Sequence, residues 1–177
     1  MTEPVAVLFR RYRTHATALL LACAVPASGP AVAAPEVAPD FTVQLLSGGA
    51  VPASALKGKV IVLNFWASWC APCKRELADL DASFVRHGPS HLAMFAINAE
   101  HPPDQRRLAQ QAVRMTIPVA TSITGGYRPR NNAVPTTFVI DAAGKLVLTK
   151  AGAWKPGEVD ALIDALLTPS SASDTTR

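Results

Sequence analysis

The feature that most constrains the fold is a pair of cysteines at residues 70–73, Cys-Ala-Pro-Cys, which lies between two different apolar patterns. Residues 60–66, VIVLNFW, are a nearly continuous apolar run rich in β-branched and aromatic side chains, which is typical of a buried central strand. Over residues 71–86 the apolar positions recur three and four apart, and Pro72 fits a first helical turn. The sequence therefore predicts a strand that leads into a helix, with the cysteine pair at the junction.

The position of the cysteines at a helix N-terminus favours ionisation of one thiol. A helix N-terminus presents unpaired backbone N–H groups and the positive end of the helix dipole, and both favour a thiolate. We expect Cys70 to attack a disulfide in another protein and Cys73, three positions later, to resolve the mixed disulfide. Lys74 adds positive charge nearby. The pattern predicts redox chemistry carried by a Cys70–Cys73 disulfide, with no other cofactor and no metal.

The remaining elements alternate between strands and helices. Strands are predicted at residues 41–46, 92–98, 117–120, 136–141 and 146–150, and we expect the first of them at the edge of the sheet. Helices are predicted at about 102–115 and from residue 156 onward. The last two strands flank an Asp-Ala-Ala-Gly turn, which indicates a hairpin. This order predicts an α/β protein with a central mixed sheet, helices on both of its faces and an N-terminal β-hairpin extension.

The first part of the chain predicts export. Three arginines within residues 10–13 precede an apolar run at 16–25, which is too short to span a bilayer and is followed by small residues and prolines. Cleavage after Ala33 would make residues 1–33 an export signal. A lipoprotein signal that ends at Cys23 and an uncleaved anchor are the alternatives. All three predict a periplasmic domain, either soluble or in contact with the membrane only through an N-terminal lipid or anchor.

Removal of this leader changes the charge balance. The chain has 17 basic and 13 acidic residues, and without the leader's three arginines and one glutamate 14 basic and 12 acidic residues remain. This small excess, with no basic stripe interleaved with aromatic side chains, predicts no nucleic-acid partner. We expect a linker at residues 34–39, one domain at 40–167 and a disordered polar tail at 168–177.

Several motifs, spaced along most of residues 38–167, are similar to those of one family. They are Pro39-Asp40-Phe41, Leu56-Lys57-Gly58-Lys59, LNFWASWCAPC at residues 63–73, VPTTFVID at residues 134–141, and Gly144-Lys145. With these motifs the chain resembles the thioredoxin superfamily, and within it the exported TlpA/ResA-like thiol-disulfide oxidoreductases, which include the cytochrome c maturation thioredoxins. The resemblance implies a thioredoxin-like fold.

The resemblance also implies a role for each matching residue. Cys70 would be the attacking thiol and Cys73 the buried resolving thiol. Trp69 would shape the surface that receives the client, meaning the protein whose disulfide is exchanged. Pro135 would be a cis-proline that faces the cysteine pair and leaves the backbone of Val134 free to pair with an extended client segment.

Transfer of a proton from Cys73 requires an acceptor. Cytoplasmic thioredoxins carry a buried aspartate where this chain has Asn64, and an amide cannot take the proton as a carboxylate can. Glu100 follows the predicted strand at 92–98, near the position of the family's acidic residue. We expect Glu100 to accept the proton, with a pKa raised by partial burial. A solvated loop carboxylate without a catalytic role is the alternative.

Other interpretations of the cysteine pair fit the residues less well. Together with His87 and His91 the pair has the spacing of a zinc site, but a Gly-Pro step between the histidines breaks the helix that would aim both at one metal. A purely structural disulfide would stabilise little, because it closes a loop of only two residues. A peroxiredoxin-like peroxidase needs a threonine or serine where Ala67 stands and a proline where Leu63 stands.

Two alternatives belong to other functional classes. A copper metallochaperone would have three residues between its cysteines, and a redox-inactive binding module would make no use of the pair. The Ala-Pro dipeptide resembles that of the reducing members, so the leading expectation is an extracytoplasmic disulfide reductase. Its expected partners are disulfide-containing exported proteins, such as apocytochrome c, and a membrane thiol-electron transporter that supplies reductant.

Overall fold

The computed structural model describes residues 36–168. Its strands are β1 (Glu36–Val37), β2 (Thr42–Leu45), β3 (Ala50–Pro52), β4 (Val60–Trp66), β5 (Leu92–Asn98), β6 (Val119–Ile123), β7 (Thr136–Ile140) and β8 (Lys145–Ala151). Its α-helices are α1 (Ala71–His87), α2 (Gln105–Ala112) and α3 (Glu158–Leu167). Short 3-10 helices span Ala53–Leu56 and Arg130–Asn132.

The strands form one mixed sheet with the order β1-β8-β7-β4-β5-β6-β2-β3. Strand β4 pairs in parallel with β5 along its whole length, from Val60 opposite Leu92 to Trp66 opposite Asn98. On its other side β4 pairs antiparallel with β7. Because β4 is flanked on both sides and covered on both faces, all of its residues are buried. This confirms the predicted central strand.

One face of the sheet is covered by the three α-helices. Trp66 of β4 packs there with Leu77 of α1, Leu108 of α2 and Ile163 of α3. The helices share this face because β4-α1-β5 and β5-α2-β6 are successive crossovers between parallel neighbours in the sheet, which take the same hand. The face holds the N-terminus of α1 at the carboxyl end of β4, where the cysteines lie.

Within residues 36–168, the opposite face is covered by a 3-10 helix and loops and not by an α-helix. Phe65 of β4 packs there in a cluster that includes Leu56 of the first 3-10 helix and Tyr127 of the connection from β6 to β7. This connection approaches the N-terminal segment closely: at Gly125, with φ of +83°, a Cβ atom would lie 1.9 Å from the carbonyl oxygen of Asp40. The mixed α/β class and the N-terminal hairpin, β2–β3, are confirmed. Helices were expected on both faces of the sheet, and among the described residues those of this second layer are 3-10 helices.

Three predicted elements differ in detail from those observed. The second helix is shorter than residues 102–115, because the Asp104 side chain caps its N-terminus by accepting from the Arg107 N–H at 3.0 Å. Strand β2 was expected at the sheet edge but lies between β6 and β3. Residues 36 and 37, placed in the predicted linker, form β1 and pair with β8, an interaction between distant segments that local composition does not indicate.

The predicted export signal at residues 1–33, including Cys23, lies outside the described residues, as do positions 169–177 of the predicted tail. Within residues 36–168, no helix has both the length and the apolar character needed to cross a membrane.

Candidate active site

The cysteine pair lies where β4 ends and α1 begins. Trp66 ends the strand, a short turn follows in which the Cys70 N–H donates to the Ala67 carbonyl at 3.0 Å, and Cys70 is the N-cap of α1. Cys70 and Cys73 form a disulfide with their Cα atoms 5.3 Å apart. Pro72 occupies the first turn, where its missing N–H leaves no helical hydrogen bond unmade. The local signals in the sequence therefore predicted this junction correctly.

The surroundings of the two sulfur atoms differ. The Cys73 N–H donates to Cys70 Sγ at 3.2 Å, so a free N–H group of the helix N-terminus points at this sulfur. Cys70 is 4% exposed, whereas Cys73 is fully buried. After reduction, the same N–H and the helix dipole would stabilise a thiolate on Cys70. This asymmetry suits an outer sulfur that attacks and an inner sulfur that resolves.

The loop before β7 faces the disulfide. The Val134–Pro135 peptide bond is cis, as the resemblance implied, and the Val134 carbonyl oxygen lies 3.8 Å from Cys70 Sγ. The Trp69 side chain is 68% exposed, which is unusual for a large aromatic side chain. Trp69 and Val134 both line a cavity of about 320 Å³ beside the disulfide. The structure thus brings together Trp69, Val134, Pro135 and the cysteine pair.

A buried carboxylate that the sequence analysis missed lies one turn into α1. Glu76 is 4% exposed, and its Oε1 accepts from the Asn64 side-chain amide at 2.6 Å. Its Oε2 accepts from the Trp154 backbone N–H at 3.0 Å, and the Thr137 hydroxyl lies 3.5 Å from Oε1. Because positions three apart in a helix are neighbours, Glu76 and Cys73 share the buried face of α1.

The environment of Glu76 favours its protonated form. Burial raises the pKa of Glu76, and the hydrogen bonds from Trp154, Asn64 and Thr137 and the charge of Lys150 only partly oppose this effect. A carboxyl group with a raised pKa can accept and return a proton near neutral pH. The sequence contained one indication of this buried carboxyl group: position 76 falls on the apolar stripe of the predicted helix, where a charged residue is unusual.

Glu100 lies close to the cysteine pair, but its pKa is shifted in the opposite direction from the one expected. Its carboxylate accepts from the Ser68 backbone N–H and hydroxyl, both at 2.9 Å, and from the Asn98 amide at 2.8 Å. Burial alone would raise the pKa of Glu100, but these hydrogen bonds and the charge of Arg107 outweigh it and lower the pKa. The expectation of a raised pKa is therefore wrong, because the donors surrounding the carboxylate stabilise its charged form.

We expect Glu100→Gln to affect stability more than chemistry. The amide would lose charge-assisted hydrogen bonds to the turn before Cys70, which should lower the free energy of unfolding at pH 7 by about 1–2 kcal/mol. Because the folded-state pKa of Glu100 is lowered, its stabilising effect is present above the ordinary carboxyl pKa and is lost as pH falls through the folded-state value. The stability difference between the two proteins in urea unfolding should therefore shrink in acid. Loss of an ionisation from the pH–rate profile of the variant would contradict this assignment.

The zinc alternative is excluded by geometry. Cys73 lies in the first turn of α1 and His87 ends the helix, so about 20 Å of helix separates them at about 1.5 Å per residue. His87 instead contacts α3, with its Nε2 3.3 Å from Asp160 Oδ1 and 3.5 Å from Asp164 Oδ1. The two cysteines, bonded to each other, cannot share a metal with this histidine.

A thioredoxin-like sheet with a Cys-X-X-Cys disulfide at a helix N-terminus, beside a cis-proline loop, defines the class of thiol-disulfide oxidoreductases. The chain belongs to the AhpC/TSA family, whose pattern matches residues 35–149. Within this fold it is a relative of the ResA-like thiol-disulfide oxidoreductases.

Individual relatives agree with this placement. The chain is 30% identical to the thioredoxin-like protein YneN of Bacillus subtilis over 133 residues, 73% of this chain and 78% of that protein. It is 32% identical to the thiol-disulfide oxidoreductase ResA of Bacillus cereus over 114 residues, 62% of this chain and 65% of ResA. The structure of a thiol:disulfide interchange protein of the thioredoxin family from Chlorobium tepidum superposes with a TM-score of 0.59, at 26% identity, over 76% of this chain and 97% of that one.

Proposed function

We propose that this protein reduces disulfides in exported client proteins, and that Cys70 and Cys73 carry the reaction. The observation that carries the proposal is the disulfide at the N-terminus of α1, with Cys70 Sγ accepting the Cys73 N–H and lying 3.8 Å from the Val134 carbonyl. The cycle begins from the reduced dithiol. It transfers two electrons and two protons to the client, and no bound cofactor takes part.

The first step is attack by the Cys70 thiolate on one sulfur of the client disulfide. A bond forms between Cys70 Sγ and that sulfur, the client S–S bond breaks, and the second client sulfur leaves as a thiolate that takes up a proton. The N–H of Cys73 and the dipole of α1 keep Cys70 ionised for this attack. The product is a mixed disulfide between Cys70 and the client.

The second step releases the client. Cys73 loses its proton and attacks Cys70 Sγ, which re-forms the Cys70–Cys73 disulfide and expels the remaining client sulfur as a thiol after it takes up a proton. We assign the acceptance of the Cys73 proton to Glu76 rather than Glu100. Glu76 is buried on the same face of α1 with a raised pKa, whereas the pKa of Glu100 is lowered and its carboxylate accepts hydrogen bonds from Ser68 and Asn98.

The client would bind across the disulfide as an extended segment. Backbone groups of Val134, presented by the cis bond to Pro135, would pair with the client backbone. The exposed Trp69 ring would cover an apolar side chain of the client, since large exposed aromatic residues are frequent anchors in protein interfaces. The cavity that Trp69 and Val134 line supports this position for the client.

The cellular setting follows from the leader and the chemistry. An export signal at residues 1–33 would deliver the domain to the periplasm, soluble or held by an N-terminal lipid or anchor. Disulfides form readily in that compartment, so a reductase there must be recharged by a membrane thiol-electron transporter. Apocytochrome c is a suitable client, because its haem-attachment cysteines must be reduced. The expected partners include no nucleic acid.

The direction of electron flow is tested by the reduction potential. We expect a value near that of thioredoxin, about −270 mV, rather than near the strong oxidant DsbA, about −120 mV. The reason is that a single N–H donates to Cys70 Sγ within residues 36–168, so the thiolate is stabilised less than an oxidant requires. Equilibration with glutathione or reduced thioredoxin, followed by thiol quantification, measures the potential. A value near that of DsbA would make the protein an oxidase and overturn the proposed direction.

A further inference from the structure

A basic pocket of about 270 Å³ lies between the first turn of α1 and helix α2. Three cationic side chains line it: Lys74 from α1, Arg107 from α2, and Arg114 just beyond the end of α2. The amide side chains of Gln110 and Gln111 complete its polar wall. The reaction described above uses none of these five side chains, so their convergence beside the disulfide requires its own explanation.

The charges of this basic pocket are only partly balanced by the protein. The Glu100 carboxylate accepts hydrogen bonds from Ser68, which also lines the pocket, and the charge of Arg107 lowers the pKa of Glu100. Arg107 Nε lies 3.1 Å from Asp104 Oδ2, but in the part of the chain that the structure describes neither Lys74 nor Arg114 has a carboxylate within ion-pair distance. Two cations facing the same concave space raise its positive potential, which attracts an anion more strongly than an isolated surface lysine would. The pocket therefore has the electrostatics of an anion-binding site.

A second observation is a buried hydrogen-bond donor that has no acceptor in the described structure. Trp66 lines the basic pocket, and its buried indole N–H has no hydrogen-bond partner in the described structure. Buried donors are rarely left unsatisfied in folded proteins, and a water molecule between this fully buried N–H and the pocket would satisfy it. Carboxylate oxygens accept from indole, amide and guanidinium donors alike.

The position of the basic pocket indicates where the carboxylate comes from. Lys74 follows Cys70 by one helical turn, and its backbone N–H donates to the Cys70 carbonyl at 3.2 Å. The basic pocket therefore lies on the α1 side of the disulfide, with Lys74 one helical turn from Cys70. The basic pocket includes Trp66, whereas the cavity next to Val134 includes Phe65. Because alternate strand residues point to opposite faces, the two lie on opposite faces of β4, and a client segment long enough to cross the disulfide would contact both.

We propose that the basic pocket binds an acidic side chain of the polypeptide that exchanges its disulfide with Cys70, and so selects clients with a carboxylate near the reacting cysteine. This inference rests on the proposed function, because it assumes that a protein disulfide is the substrate. The carboxylate would pair with Lys74 and Arg114 and speed the encounter as well as orient the bound segment.

The test compares two disulfide-bonded peptides that differ only at two positions flanking the cysteine, which are glutamate in one and glutamine in the other. The reduced full-length protein is mixed with each at low ionic strength, and acid-quenched samples are analysed by mass spectrometry for formation of oxidised protein. The wild type should react with the acidic peptide about fivefold faster, the advantage expected from one or two partly exposed ion pairs. Added salt should reduce this preference.

Arg114→Gln is the informative variant, because it removes one unpaired cation of the basic pocket without altering the first turn of α1. It should lose most of the preference for the acidic peptide. Lys57→Gln is the matched control: it removes the same charge from an exposed residue in the loop between β3 and β4 and should retain the full preference. Hydroxyethyl disulfide, which is small and uncharged, should react equally with all three proteins and shows that each variant is folded and active.

Each outcome has a defined meaning. Equal rates of wild type with both peptides, or a preference that Arg114→Gln retains, would overturn the basic pocket as a client-selecting site while leaving the reductase intact. Failure of the wild type with both peptides and with hydroxyethyl disulfide would instead overturn the proposed function. Loss of the preference in Arg114→Gln alone, with unchanged reaction with hydroxyethyl disulfide, supports the inference.

Discussion

A Cys70→Ser variant is expected to lose all disulfide reductase activity, because a serine hydroxyl at the N-terminus of α1 stays protonated and cannot exchange with a disulfide. Cys73→Ser should behave differently. It keeps the sulfur that accepts the Cys73 backbone N–H, so it should attack a client once and then remain in the mixed disulfide. Insulin reduction in the presence of a thiol reductant measures turnover, and intact mass measures the trapped adduct.

This pair of variants contains its own control, since each removes one sulfur from the same buried turn and both abolish the Cys70–Cys73 disulfide. If stability alone decided activity, both variants would fail in the same way. Turnover by Cys70→Ser, or an adduct carried equally well by Cys70→Ser and Cys73→Ser, would contradict the division of labour between an attacking and a resolving cysteine.

Glu76→Gln is expected to slow the release of client from the mixed disulfide by about 10²-fold, the usual contribution of a positioned proton acceptor. The pKa of Glu76 is raised by burial, so the wild-type rate should show an ionisation above the ordinary carboxyl range. The variant should lack that ionisation, while the first attack by Cys70 should change little. Stopped-flow measurement of the two steps at a series of pH values separates these effects.

Asp79→Asn is the matched control for Glu76→Gln, because it makes the same carboxylate-to-amide change at an exposed position of α1.

The pH dependence of stability provides a second test of the raised pKa of Glu76. With a raised folded-state pKa, the native protein holds a proton that the unfolded chain has lost, so wild-type stability should fall as pH rises from the ordinary glutamate pKa through the folded-state value. The variant should lose this slope. An unchanged pH–rate profile would remove Glu76 from the mechanism.

The core of the site could be predicted from the sequence because its signals are local. The apolar run that forms β4, the proline that suits a first helical turn and the apolar stripe of α1 lie within about 25 consecutive residues, and they determine where Cys70 lies. The cis bond before Pro135 could be anticipated only through family resemblance, because most X-Pro bonds are trans.

The role proposed for Glu76 could not be predicted in the same way. Its hydrogen bonds come from Asn64, Thr137 and Trp154, which are up to 78 positions away and are brought together only by the sheet order. Glu100 drew attention because it follows a strand. Asn98, one of the donors that lower its pKa, is two positions away, but the other donors are the N–H and hydroxyl of Ser68, 32 positions away. The sign of a pKa shift depends on such long-range donors, which local patterns do not reveal.

The basic pocket, too, could not be predicted from local sequence patterns. In the sequence, Arg107 and Arg114 both fall within the polar helix predicted at about 102–115, which by itself predicts a solvated surface. Only the packing of α2 beside α1 on one face of the sheet brings these arginines to Lys74.

The most direct test of the central claim is to map the covalent bond that the Cys73→Ala protein forms with a disulfide-bonded client. After proteolysis without reductant, we expect the client peptide to be joined to the fragment containing Cys70, in an amount close to one per protein, and to be released by reductant. An adduct found on Cys23 alone, or no adduct with clients that thioredoxin reduces under the same conditions, would contradict the claim that Cys70 is the sulfur at which exchange begins.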